Sequence, residues 1–74
     1  MHIECESFGT GWIGLSIALR RDEIDQMILL LQELKRAEFD HFHLSSTDSS
    51  ANEGVADIEV TTQGEHVPDN MRFG

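Results

Sequence analysis

The hydrophobic period of this chain changes twice, and that change limits its fold more than any other feature. Met1, Ile3 and Cys5 alternate with His2, Glu4 and Glu6, the period of a half-buried strand. After Gly9-Thr10-Gly11, which suits a turn with positive φ, Ile13, Leu15, Ile17 and Leu19 alternate with Trp12, Gly14, Ser16 and Ala18. Two such runs around a glycine-rich turn predict a β-hairpin. From about Arg21 to Arg36 the apolar residues Ile24, Met27, Ile28, Leu31 and Leu34 recur every three or four positions, which predicts one amphipathic helix. Asp22, Glu23 and Asp25 occupy its first turn and Lys35 and Arg36 its last, both favourable to the helix dipole. The N-cap is either Arg20 or Asp22. Leu29 and Leu30 widen the stripe, so they pack under a loop or meet another chain. Alternation then returns: Phe42 and Leu44 against His41 and His43, and Ala56, Ile58 and Val60 against Val55, Asp57, Glu59 and Thr61. A polar loop over 46–54 separates these two runs.

The order ββαββ in 74 residues allows one core and one domain. The expected α+β architecture has two layers: one amphipathic helix packed on one face of a four-stranded antiparallel sheet. The expected core is Ile3, Cys5, Ile13, Leu15, Ile17, Ile24, Ile28, Leu31, Leu34, Phe42, Leu44, Ile58 and Val60. The domain spans residues 1–62. Residues 63–74 are expected as a tail, loosely ordered or adding a short edge strand. No apolar run is long enough to cross a membrane, and the acidic start of the chain lacks the apolar stretch of a secretory signal. A single cysteine, Cys5, cannot form an internal disulfide, which points to a reducing, cytoplasmic setting.

Charge narrows the partners. Fourteen acids face five bases, a formal charge of −9, and residues 37–71 contain no lysine or arginine. Nucleic-acid phosphate and anionic membrane require clustered basic residues, so neither is expected as a partner. A basic protein or a cation suits the chain better. With one helix, the second face of the expected sheet stays open. It would carry His2, Glu4 and Glu6, then Trp12, then His41 and His43, then Asp57 and Glu59. Glu4, Glu6, Trp12, His41, His43, Asp57 and Glu59 are therefore the candidate partner-binding residues.

Two histidines and two carboxylates on neighbouring strands also match the donor preferences of zinc and similar divalent metals. The alternative reading is thus a homodimeric domain with His41, His43, Asp57 and Glu59 as ligands. Cross-strand His–carboxylate pairs are equally ordinary sheet stabilisers. Catalysis finds little support: no nucleophile elbow surrounds the serines, no glycine-rich phosphate loop occurs, and Cys5 sits between two glutamates, which disfavours a thiolate. No enzyme activity and no cofactor are expected.

The segments Ser7-Phe8-Gly9-Thr10-Gly11-Trp12-Ile13-Gly14-Leu15, Glu23-Ile24-Asp25 with the helix to Leu34, His41-Phe42-His43-Leu44 and Gly54-Val55-Ala56-Asp57-Ile58-Glu59 together resemble small bacterial immunity proteins of polymorphic toxin systems, specifically immunity family thirty-two. The resemblance covers residues 1 to about 61. It implies a cytoplasmic antidote that binds and blocks a toxin without chemistry. The basic target, such as a nuclease, and the acidic face that would meet it are inferences from charge. Dimerisation is compatible with either reading, through Leu29 and Leu30 or an unpaired strand edge.

Overall fold

The computed structural model describes residues 1–48, 50 and 53–74. Ser49, Ala51 and Asn52, part of the expected polar loop, lie outside the described residues. The elements are β1 (His2–Ser7), β2 (Ile13–Ala18), α1 (Arg21–Lys35), β3 (His41–Ser45) and β4 (Asp57–Thr61). This is the α+β class in the expected order.

Each hairpin keeps the faces its alternation predicts. In the first, Ile3 stands opposite Ile17, Cys5 opposite Leu15 and Ser7 opposite Ile13. His2, Glu4 and Glu6 share the other face with Ala18, Ser16 and Gly14. The turn needs its glycines: Gly9 and Gly11 have φ of 73° and 88°, where a side chain would be strained. The Phe8 N–H donates to the Trp12 carbonyl at 3.2 Å to close it. In the second hairpin Phe42 opposes Val60 and Leu44 opposes Ile58. His41, His43 and Ser45 face Thr61, Glu59 and Asp57 on the opposite side.

The N-cap of the helix is Arg20, not Asp22. The Arg20 N–H donates to Glu23 Oε1 at 3.0 Å. A guanidinium has no acceptor, so only this half of a capping box operates. The α-amino group of Met1 lies 2.6 Å from the same Glu23 oxygen. That amine and the Arg20 N–H hold the Glu23 carboxyl below its usual range, while Arg20 does the same for Asp22 by a side-chain hydrogen bond. The helix ends in a Schellman motif: the Glu38 N–H reaches the Glu33 carbonyl at 3.0 Å and the Ala37 N–H the Leu34 carbonyl at 3.1 Å. Ala37 takes the left-handed position with φ of 61°, a place usually filled by glycine.

Two expectations need correction. The four strands form two separate two-stranded sheets, β1–β2 and β3–β4, instead of one four-stranded sheet. Hairpin pairing is local and forms within each pair; joining the hairpins would need a further ladder across the helix connection, and none is present among the described residues. The core is also smaller than expected. Leu34, Phe42 and Leu44 are buried, and Ile3, Met27, Leu30, Phe39, Ile58 and Val60 pack around them. Phe39 meets Phe42 edge to face, with centroids 6.3 Å apart. The helix therefore turns Met27, Leu30 and Leu34 towards the second hairpin. Its adjacent stripe, Ile24, Ile28 and Leu31, is exposed, as are Cys5, Ile13, Leu15 and Ile17 on the first hairpin. One narrow helix covers the second sheet, while the first adds only Ile3 to the core and keeps the apolar side chains of β2 exposed.

The accessible surface is 6954 Å², whereas a folded monomer of this mass exposes about 4,600 Å². Residues 63–74, which form no strand and are all exposed, hold part of the surplus.

Candidate functional site

The expected site residues fall on two polar faces instead of one. Glu4 and Glu6 lie on the first hairpin, where Glu4 accepts a contact from His2 Nε2 at 2.9 Å. Trp12 stands at the hairpin turn and is 78% exposed, with its indole available to a partner. Phe8 lies beside it, its ring across Gly14, where a Cβ would come within 2.9 Å of Phe8 Cζ. His41, His43, Asp57 and Glu59 lie together on the second hairpin, all exposed. The two groups belong to different sheets, so the continuous acidic face expected from sequence is not formed within one chain.

On the second hairpin the local chemistry is well defined. His41 and His43 are two residues apart on one strand, so their rings share a face; the centroids are 5.1 Å apart and nearly perpendicular. Glu59 is directly opposite His43. One donor atom from each of His41, His43 and Glu59 lies within 4.8 Å of the others. Asp57 is placed differently from the expectation: it sits opposite Ser45 and its carboxylate accepts from His43 Nδ1 at 2.9 Å and from Ser45 Oγ at 3.3 Å. His41 Nδ1 finds a second carboxylate, Asp40 Oδ1, at 2.5 Å. The Asp40 carbonyl in turn accepts from Thr61 Oγ1 at 2.9 Å, which ties the start of β3 to the end of β4.

Sequence reasoning missed Asp40, because it precedes the strand and falls outside the alternation. It also missed the bare face of β2. That strand, Ile-Gly-Leu-Ser-Ile-Ala, contains no charge and no proline, and among the described residues its outer edge has no strand partner. Strand edges that must stay single usually carry charge or proline, as β1 does with Glu4 and Glu6. This signal was present in the sequence.

A cleft of about 820 Å³ lies where the hairpins meet, lined among others by Ile3, Arg20, Glu23, Leu44, Ser46 and Val55. Its cations among the described residues, the Met1 α-amino group and Arg20, are already paired with Glu23 and Asp22. Among the described residues no helix is long and apolar enough to cross a membrane. No protein-family model matches the chain, and no curated protein or solved structure is detectably similar to it.

Proposed function

We propose that this chain is a non-enzymatic, cytoplasmic binding protein that works as a homodimer and blocks a basic protein partner, in the manner of an immunity protein against a toxin. The observation that supports it is the bare, uncharged edge and apolar face of β2. Ile13, Leu15 and Ile17 are 66%, 50% and 43% exposed, and the exposed helix stripe Ile24, Ile28 and Leu31 begins six residues after β2 ends. A standard interface takes about 800 Å² from each partner, well within the surplus surface of this chain.

A second copy is the occupant that fits. Antiparallel pairing of β2 with its symmetry mate must place odd-numbered residues opposite odd-numbered ones, or the apolar faces part. The register with most apolar overlap sets Leu15 against Leu15 of the partner subunit, with Ile13 and Ile17 of each copy opposite one another. This builds a four-stranded sheet across two chains, and its apolar face is covered by the exposed helix stripes. The other face then carries Glu4 and Glu6 twice, an acidic surface suited to fast association with a basic partner. Trp12 at the rim supplies an aromatic anchor.

The experiment is co-expression with the product of the neighbouring gene, followed by affinity purification and association kinetics. The expected result is a complex of defined stoichiometry whose association slows at least tenfold in the Glu4→Lys/Glu6→Lys variant. A complex with unchanged kinetics in that variant would move the interface elsewhere. No complex would remove the toxin-blocking reading while leaving dimerisation to its own test.

A further inference from the structure

We infer that the exposed face of the second hairpin is a zinc site, with His41, His43 and Glu59 as ligands and Asp40 and Asp57 as the groups that orient the two imidazoles. The ligand set is what zinc takes in three-ligand sites with one open position: imidazole nitrogen and carboxylate oxygen. Two imidazoles select against the hard cations calcium and magnesium. The donor atoms lie within 4.8 Å of one another, while tetrahedral zinc with bonds of about 2.0–2.2 Å holds ligand atoms about 3.3–3.5 Å apart. The remaining closure is a small adjustment of exposed side chains.

The two imidazoles are also oriented by neighbouring carboxylates, which a mere cluster of polar residues would lack. Each imidazole already has its Nδ1 on a carboxylate: His41 on Asp40 at 2.5 Å and His43 on Asp57 at 2.9 Å. A carboxylate that accepts the Nδ1 proton fixes the tautomer and leaves the Nε2 lone pair for a metal, the arrangement common to metal-ligating histidines. Asp57 is thus a positioning residue, not the ligand that its place in the sequence implies. The site uses none of the β2 or α1 residues invoked for dimerisation, so the two readings stand or fall separately.

The test is a zinc titration of the full chain by calorimetry, competed with a chromophoric chelator, with cobalt(II) as the spectroscopic probe. The expected result is one zinc per chain and a tetrahedral cobalt spectrum. His41→Ala and His43→Ala should each remove that binding. Asp40→Asn and Asp57→Asn should keep the stoichiometry and weaken affinity by about 10–100-fold. His2→Ala and His66→Ala should change nothing. These are surface substitutions, so all variants should keep the parent far-UV circular dichroism. Absence of zinc binding in the parent chain, binding that survives His41→Ala/His43→Ala, or an octahedral cobalt spectrum would overturn the site. Unchanged affinity in both Asn variants would overturn the positioning role of the aspartates.

Discussion

Leu15→Asp should convert the dimer to a monomer without unfolding the chain. Leu15 is 50% exposed and lies outside the cluster around Leu34, Phe42 and Leu44. Full burial of a leucine or isoleucine contributes about 1.5–3 kcal/mol, so covering the exposed half contributes about 1 kcal/mol. Ile13, Leu15, Ile17, Ile24, Ile28 and Leu31 in two copies would then supply about 12 kcal/mol, against about 4–15 kcal/mol for association. Strand hydrogen bonds add to the favourable side, but the margin is narrow. Aspartate at position 15 loses about 1 kcal/mol in each copy and sets two carboxylates face to face across the two-fold axis, where like charges repel and desolvation adds to the cost. A total of about 4 kcal/mol weakens the dimer roughly a thousandfold. Sedimentation equilibrium should show a parent species of twice 8.3 kDa and a variant at the monomer mass, with far-UV circular dichroism retained in the second hairpin and helix. A Leu15→Asp protein that sediments as the parent does would refute the reasoning, because no register that buries β2 tolerates that pair of charges.

Other outcomes follow from the fold. Ala37→Gly should stabilise the chain by about 0.5–1 kcal/mol, since it relieves the left-handed alanine and loses part of the gain to a freer unfolded chain; urea titration measures it. Phe42→Ala removes a core ring and should cost about 3–5 kcal/mol, enough to abolish cooperative thermal unfolding in so small a core. Glu23 has a lowered carboxyl pKa in the folded state. Its contribution is therefore fully present above its unfolded value and is lost as pH falls through the lowered folded value. Thermal stability should drop in acid below about pH 4.5, the ordinary value, and Glu23→Gln should flatten that drop.

The local elements were legible because their causes are local. Alternation over residues 1–7, 12–19, 39–45 and 55–62 fixed which residues share a face, and both hairpins keep those faces. The three- and four-residue spacing of Ile24, Met27, Ile28, Leu31 and Leu34 located the helix to within a residue. The long-range arrangement was not legible. The stripe on α1 is wide enough for two packings, and Met27, Leu30 and Leu34 prevail because they meet Phe42 and Leu44; Ile24, Ile28 and Leu31 are then left outside. Whether two hairpins merge into one sheet depends on edges that no local pattern describes. At the candidate site, the shared face of His41, His43, Asp57 and Glu59 followed from period two. The division between ligand-like Glu59 and hydrogen-bonding Asp57 did not, because it depends on strand register. Asp40 reaches His41 from a position where alternation makes no statement.

The most direct test of the central claim is an isotope-filtered nuclear Overhauser experiment on an equal mixture of carbon-13-labelled and unlabelled chains. The account predicts contacts between copies that link the methyl groups of Ile13, Leu15 and Ile17, with protected amide protons along the outer edge of β2. A spectrum with no contacts between copies, or with contacts confined to residues 63–74, would contradict it.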